Sequence, residues 1–405
     1  MADRRPRILY ICPTWPGGLA HGGQQRALYI GRALREIGDV TLLVVSDDIE
    51  TEAAREITAR EFHVVPQIRP HPAPRRRIGA KLRRVVDSHN LDVHGIVACE
   101  PDRQRVLHYI SEHDLVWVMN ARIPSLLQIW RWPHTHLDVD NIPSAQLRAA
   151  SGAATGWMSQ LKTQAQWLFQ LRRERHYCER FTSLSVCSEA DRIDLGHNGV
   201  HVIPNGFARP TMTPVRTLSC QTPRIGFIGL YSYAPNLDGV QWFLEHAWPA
   251  VERAVPRVRF RLIGTDTDGP LRPSGTAVDA LGWMADPAAE IGTWSAMVVP
   301  IRFGGGTRIK LVDAFSRQCP VVSTRFGAHG YRVESNKQLL LADDGPDFAL
   351  ACIDLLRDPA HGRRLAASAW DDFLRHWSWE AIGPRIADAA AACLDQNPNL
   401  IPEHA

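Results

Sequence analysis

The sequence predicts an α/β protein made of two doubly wound domains. Short apolar strands alternate with amphipathic helices along nearly the whole chain, the order that forms parallel sheets covered by helices. The chain has 405 residues, enough for two or three domains of ordinary size. Residues 211–223 are rich in threonine, proline and serine without a helical period, so we place a linker there. We expect one domain over residues 1–210, a second over residues 211–376, and a terminal helix with a loose tail over residues 377–405.

The first domain begins with a strand, a glycine-containing loop and a helix. Residues 7–12 are apolar, residues 13–23 form the loop, and residues 24–37 carry apolar side chains at helical spacing. Residues 40–46 form the next strand, which completes the start of a doubly wound sheet. The glycines do not follow the G-x-G-x-x-G spacing, so a dinucleotide site is not favoured and a plain βα turn remains an alternative.

The same reasoning places the remaining elements. We expect further strands at residues 61–68, 94–98, 114–119, 134–137, 183–187, 224–229, 258–263, 278–281, 297–300, 320–323 and 339–342. We expect helices at residues 102–110, 152–180, 236–251, 307–316, 348–356, 362–370 and 377–393.

The segment with the most chemistry runs from Val299 to Thr324. It joins an apolar strand, the glycine turn Gly304-Gly305-Gly306, a helix with Thr307 as its expected N-cap, and a second apolar strand. Glycines let a ligand approach the backbone, and the N–H groups and dipole of a helix N-terminus favour negative charge. This order therefore predicts an anion site.

Three side chains of this helix are candidates for ligand contacts. Arg308 and Lys310 fall in the first turn, where cations oppose the helix dipole unless an anion lies above them. Asp313 lies one turn later, within reach of a hydroxyl group. The alternative is an ordinary glycine turn with a solvated arginine and lysine. Three glycines, two early cations and an acid between two buried strands favour the anion site.

This segment resembles a known family. The run G-G-G-T-R-I-K-L-V-D-A-F-S-R-Q-C-P-V-V-S-T is similar to the nucleotide-binding motif of retaining GT-B glycosyltransferases of family 4, the group 1 type, in an exopolysaccharide-like branch with three glycines. The resemblance implies two Rossmann-like domains that face a cleft, an acceptor-binding first domain and a nucleotide-sugar-binding second one. It also implies a last helix that crosses back to the first domain.

The resemblance also assigns residues, with two departures. Family members often carry two glutamates seven residues apart, which fall here on Gly305 and Asp313. Asp313 can hold the ribose hydroxyls, whereas Gly305 leaves sugar recognition to backbone N–H groups. The loop 230–236 lacks the arginine and lysine that relatives use for the diphosphate, which leaves that task to Arg308 and Lys310. Further nucleotide-sugar contacts are implied at Gly22, Gly23, Gly229, Trp283, Met284, Gly304, Gly306 and Thr307. For Trp283, packing is an equal alternative.

Two acids follow a strand of the first domain. Asp138 and Asp140 alternate, so an extended backbone places them on one face, and the carboxyl ends of strands face the ligand crevice of an open sheet. Many relatives have His-Asp here, and these positions fall on Val139 and Asp140. The acids are therefore candidate catalytic residues with Arg308 and Lys310, and capping of the next helix is the alternative. We expect no metal, since the donor half has no Asp-x-Asp motif with further ligands.

Composition and charge exclude several classes of function and location for this chain. A formal net charge of +3 is too small to indicate nucleic-acid binding. No run approaches the roughly 18 apolar residues of a spanning helix, and the charged N-terminus is unlike a signal peptide. The eight cysteines are scattered, so we expect reduced thiols in a cytoplasmic protein. Residues 75–86, from Arg75 to Val86, combine an apolar stripe with a basic one. This pattern suits peripheral contact with the inner face of the cell membrane, binding of an acidic acceptor, or an ordinary solvated helix face.

The predicted activity is therefore sugar transfer, with retention, from a UDP- or GDP-linked donor to a glycan or lipid-linked acceptor, without a further cofactor. Bacterial cell-surface polysaccharide or glycolipid assembly is the expected setting. The alternatives are a transferase for small natural products, a sugar-nucleotide 2-epimerase, and an inactive nucleotide-sugar-binding protein.

Overall fold

The structure is a computed structural model that describes residues 4–17, 22–73, 89, 95–140, 142–145, 147, 156–197, 199–219, 221–267 and 277–396. The described residues up to Asn205, together with those from Ile382 onward, form one compact unit, and Gly206–Ala381 form a second. The basic segment 75–86 and Cys220 lie outside the described residues.

Each unit is built on a parallel sheet, which confirms the predicted α/β class. In the described part of the first unit, seven parallel strands have the order β3-β2-β1-β6-β7-β8-β9, and β4 and β5 form a separate antiparallel pair. These strands are β1 (Arg7–Cys12), β2 (Asp39–Val44), β3 (His63–Val64), β4 (His71–Pro72), β5 (Ile96–Val97), β6 (Leu115–Met119), β7 (Thr135–Asp138), β8 (Ser183–Val186) and β9 (Val200–Val202).

The sheet of the second unit has the order β12-β11-β10-β13-β14-β15, and every pairing is parallel. The strand order reverses between β10 and β13. Such switch points form the ligand crevice of open α/β sheets. The strands are β10 (Arg224–Ile228), β11 (Arg259–Ile263), β12 (Val278–Gly282), β13 (Ala296–Val299), β14 (Val321–Ser323) and β15 (Leu340–Leu341).

The helices connect these strands. In the first unit they are α1 (Gly22–Ile37), α2 (Glu52–Glu61), α3 (Glu100–Glu112), α4 (Ile123–Leu126), α5 (Trp157–Glu174), α6 (Tyr177–Arg180) and α7 (Glu189–Leu195). In the second they are α8 (Ala234–His246), α9 (Trp248–Ala254), α10 (Ala288–Ile291), α11 (Ile309–Ser316), α12 (Gly345–Arg357) and α13 (Pro359–Asp372), and a π-helical turn (Phe373–Trp377) precedes α14 (Trp379–Leu394).

Each unit has its own apolar core. In the second unit, the ring centres of Phe243 and Phe260 lie 4.9 Å apart, and the buried Phe227 and Trp294 belong to the same cluster of apolar side chains. In the first, β-branched and leucine side chains of the parallel strands pack with Trp132. The terminal helix α14 begins in the second unit, and its residues from Ile382 onward belong to the first. None of the helices in the described part of the chain combines the length and the hydropathy of a membrane-spanning segment.

Three element predictions need correction. The strand expected at residues 61–68 is the short β3 with an isolated bridge at Ile68, and α2 precedes it. Helix α2 buries only Ala54 and Thr58, so its apolar periodicity is weak, and the Thr51 side chain caps it by accepting from the Ala54 N–H at 3.2 Å. The helix expected at residues 236–251 is two helices that meet at Ala247, since a proline two residues later cannot supply the N–H of a continuous helix. The long helix expected at residues 152–180 is likewise divided into α5 and α6.

Candidate functional site

The glycine turn lies between β13 and α11, at the carboxyl end of the second sheet. Gly304 and Gly306 have φ angles of +126° and +68°, which L-residues with a Cβ rarely adopt. A Cβ on Gly304 would also lie 3.2 Å from the Pro235 side chain. These two positions therefore require glycine, and the turn leaves its backbone open to a ligand.

Helix α11 begins two residues later than the sequence indicates. Thr307 is not its N-cap, because Arg308 occupies that position with an extended backbone. The Arg308 guanidinium donates to the carbonyls of Gly305, at 2.9 Å, and of Gly306, and it lies 5.0 Å from the centre of the Phe326 ring. Arg308 therefore closes the glycine turn from within.

Lys310 is the cation of the first helical turn. Its Nζ donates to Asn236 Oδ1 at 2.7 Å and lies 3.8 Å from the centre of the Phe227 ring. Burial, and secondarily the charge of Arg308, hold the pKa of Lys310 well below its usual range. A Cβ on Gly229 would lie 2.8 Å from Asn236 Nδ2 and 3.2 Å from the same Nζ, so the glycine that follows β10 leaves room for both side chains. A cation held this way has a strong electrostatic preference for an anionic ligand.

Asp313 is buried on the next turn of α11. Its Oδ1 accepts from Arg317 Nε at 2.6 Å, an i, i+4 pair on the helix surface. Burial raises the pKa of Asp313, while Arg317 opposes the shift. The more exposed Asp286 lies 3.8 Å from the other side of the same guanidinium. Arg317 thus orients a buried carboxylate, as a hydroxyl-binding acid requires.

The turn after β12 carries the two residues implied to contact a base. Trp283 is 59% exposed, so packing does not explain its indole ring. Met284 is half-buried against the core of the second unit. An exposed indole at the carboxyl end of a sheet offers a flat apolar surface for stacking.

In the first unit, the two loop glycines belong to a helix. Gly22 and Gly23 form the first turn of α1 rather than the preceding loop. Their N–H groups thus belong to a helix N-terminus, where backbone donors lack intrahelical partners. One turn later, Arg26 is 1% exposed, which is unusual for an arginine.

Arg26 explains the position of Asp138. The guanidinium makes a two-pronged ion pair with Asp138, at 2.7 and 2.9 Å, and Asp138 also accepts from the Ser185 hydroxyl at 2.9 Å. Asp138 is fully buried. Its carboxylate is therefore held by protein groups, which favours a structural role over the predicted catalytic one. It anchors α1 to β7.

Asp140 has a different environment. Strand β7 ends at Asp138, and Asp140 has a φ of +60°, so the two acids do not share a strand face as predicted. Asp140 Oδ1 accepts from Cys187 Sγ at 3.1 Å and from Asn205 Nδ2 at 3.5 Å. Burial raises its pKa, the nearby Asp138 adds to the rise, and Arg26 opposes it. A half-buried carboxylate with a raised pKa at a strand end is suited to proton or hydroxyl contacts.

Sequence reasoning missed three residues that organise these groups. The spacing of Asp313 and Arg317 is a detectable signal for Arg317, because residues four apart face each other on a helix. The arginine one turn after the glycine pair offered a weaker signal for Arg26. For Asn236, which positions Lys310 across 74 residues of chain, the sequence contains no signal.

Known proteins match this chain in sequence and in structure. Residues 222–358 match the family model for glycosyl transferases group 1. This region lies within the second unit and includes the glycine turn, Lys310 and Asp313. An uncharacterized 44.6 kDa protein from the cps region of Klebsiella pneumoniae is 25% identical over 154 residues, which cover 36% of this chain and 40% of that protein. The aligned region thus spans less than half of that relative.

Solved structures of low identity share the whole architecture. HepE from Anabaena, solved with UDP and glucose, is 16% identical and has a TM-score of 0.64 over 96% of this chain and 100% of its own. TarM from S. aureus is 10% identical with a TM-score of 0.64, over 96% and 99% of the two chains. WaaG, a glycosyltransferase involved in lipopolysaccharide biosynthesis, is 10% identical with a TM-score of 0.59, over 94% and 99%. The fold is therefore GT-B: two Rossmann-like domains with parallel sheets.

Proposed function

We propose that this protein is a glycosyltransferase that moves a sugar from a nucleotide-sugar donor to an acceptor hydroxyl with retention of configuration. The observation that carries the proposal is the segment from Gly304 to Asp313. A glycine turn, a lysine held at a helix start and a buried carboxylate follow one another there, inside the region that matches glycosyl transferases group 1. This set suits the diphosphate and ribose of one ligand.

In the proposed mechanism the second unit holds the donor. The N-terminus of α11 and the Lys310 ammonium neutralise the diphosphate as it leaves the sugar, and Asp313 accepts hydrogen bonds from the ribose. Trp283 stacks on the base. Stabilising the charge that develops in the transition state is commonly the largest catalytic contribution. No metal or further cofactor takes part in this proposal.

The first unit is proposed to bind the acceptor. Asp140, with its raised pKa and half-buried position, orients the reacting hydroxyl groups. We place the enzyme in bacterial cell-surface polysaccharide or glycolipid assembly, in the cytoplasm and at the inner face of the membrane. The K. pneumoniae relative in a cps region and the likeness to WaaG support this setting.

A ligand screen and a transfer assay test the proposal. We expect UDP or GDP, and sugars linked to one of them, to raise the unfolding temperature in a thermal-shift screen that includes ADP, because a ligand that binds only the folded state stabilises it. With the best donor, NMR of the product should show the anomeric configuration of the donor. If none of these nucleotides binds, the assignment of the donor site is wrong. An inverted product contradicts retention, and donor epimerisation or hydrolysis without transfer indicates the alternative activities.

The ribose assignment gives a separate prediction. Asp313→Ala should weaken donor binding by about tenfold to a hundredfold, since hydrogen bonds to a charged group contribute roughly 1.5–3 kcal/mol. Asp313→Asn keeps an acceptor and Asp313→Glu keeps the charge, so both should lose less. Calorimetric titration with the donor measures the effect. Asp286→Ala is the matched control, because this exposed acid contacts the same Arg317. Wild-type affinity in Asp313→Ala contradicts the assignment.

A further inference from the structure

Helix α5 of the first unit exposes an apolar stripe. Met158, Leu161 and Leu168 are 68%, 56% and 50% exposed, and Ala165 is exposed with them. The spacings of three, four and three residues place all four on one side of an α-helix. Single exposed leucines are common on protein surfaces, but an aligned set along three turns indicates a partner.

The C-terminal end of the helix is anchored to the first unit. Arg173 and Glu174 are 5% and 2% exposed, and Glu174 Oε1 accepts from the Ser144 N–H at 2.8 Å. The Arg173 guanidinium lies 5.3 Å from the centre of the Phe169 ring. These contacts hold the last turn of α5 against the first unit, and the exposed stripe lies on the turns that precede it.

The charges around the stripe have one sign. Lys162 lies one turn beyond Met158, and Arg172 lies one turn beyond Leu168, and both are exposed. No acidic residue occurs between Trp157 and Arg173, and Glu174 is buried. The exposed side of α5 therefore carries an apolar stripe with one cation beside it, Lys162, and another at its C-terminal end, Arg172.

We propose that this side of α5 docks on an anionic lipid surface. A helix with an apolar stripe and basic neighbours lies in the headgroup region with its apolar side inserted and its cations near lipid phosphates. Pairing with a second copy would bring like charges together, whereas an anionic surface is complementary to them. The proposal adds a docking surface to the membrane location given in the proposed function. It rests on the proposed function only for the nature of the acceptor.

Vesicle co-sedimentation of the full chain, without donor or acceptor, tests the proposal. We expect binding to vesicles of phosphatidylcholine with phosphatidylglycerol at low salt, at least tenfold weaker binding to phosphatidylcholine alone, and weakening with salt. Leu161→Gln with Leu168→Gln should reduce binding at least tenfold, and Lys162→Glu with Arg172→Glu should do the same. The matched control is Leu350→Gln, which changes a leucine 64% exposed on α12 of the second unit and should leave binding unchanged.

Other outcomes overturn the proposal. Undiminished vesicle binding by the leucine variant contradicts it, as does loss of binding only when the charges of Arg77, Lys81 and Arg84 are reversed. A dimer of the wild type, dissociated by the leucine variant without vesicles, assigns the stripe to a second copy instead. Circular dichroism and the thermal shift with donor show whether each variant is folded. Because vesicle binding needs no transfer step, failure here is distinct from failure of the glycosyltransferase assignment.

Discussion

Lys310→Ala should lower turnover by about a hundredfold or more, which corresponds to roughly 3 kcal/mol for loss of one charge-stabilising group. The Lys310 ammonium is held at the start of α11 by Asn236, where a leaving diphosphate would carry its charge. Steady-state transfer assays with saturating acceptor measure the effect. Lys337→Ala is the matched control, since this exposed lysine of the same unit pairs only with Glu334 in the described structure.

The pH dependence gives a second readout of the same residue. The pKa of Lys310 is lowered in the free protein by burial and by Arg308, and a bound diphosphate favours the charged form. Donor binding should therefore take up a proton, and affinity should fall as pH rises through the lowered pKa. Calorimetry in buffers of different ionisation enthalpy detects the uptake, which Lys310→Met should abolish. Wild-type turnover in Lys310→Ala, or unchanged proton uptake in Lys310→Met, removes Lys310 from the site.

Arg308 should behave differently from Lys310. Its guanidinium binds carbonyls of the glycine turn, so Arg308→Ala should loosen the turn and weaken donor binding as well as turnover. Both variants should lose donor affinity and turnover, and the measured contrast is the proton uptake on donor binding, which Arg308→Ala should keep and Lys310→Ala should lose. The fold should survive both changes, because the glycine turn lies outside the core of the second unit.

Breaking the buried ion pair of the first unit should cost the most stability. Arg26→Met or Asp138→Leu alone leaves one uncompensated charge in the core, and such changes typically cost about 3–5 kcal/mol. The double variant removes both charges and should regain much of the loss, since apolar pairs of similar volume often replace buried ion pairs without penalty. Urea unfolding of the four proteins, analysed as a double-mutant cycle, measures the coupling.

An exposed pair provides the control for this cycle. Glu100 and Arg103 form an i, i+3 ion pair on α3, and Glu100→Ala should cost less than about 1 kcal/mol. A stability loss of that small size in Asp138→Leu contradicts the structural role of Asp138.

The result also distinguishes the roles of the two acids at the end of β7. Asp140→Asn should leave stability nearly unchanged and reduce turnover, whereas full stability with lost turnover in Asp138→Asn would restore Asp138 as a catalytic candidate.

Much of the fold follows from local patterns. Continuous apolar runs predict the buried parallel strands, because both faces of such strands are covered by helices. The glycine turn, Lys310 and Asp313 lie in one short segment, so these groups are close in the structure because they are close in the sequence. The linker predicted from the composition of Thr211–Pro223 lies inside the second unit, which begins at Gly206. These features depend on near neighbours, which a sequence shows directly.

The tertiary structure decided the roles of residues whose partners are distant in sequence. Asp138 and Asp140 are two residues apart and chemically identical, yet Arg26, 112 residues from Asp138, occupies one and leaves the other half-buried. Asn236 sets the position of Lys310 across 74 residues. Arg308 turns inward, where its guanidinium donates to the carbonyls of Gly305 and Gly306. These partners lie far apart in sequence, so only the folded chain determines which groups a carboxylate or a cation meets.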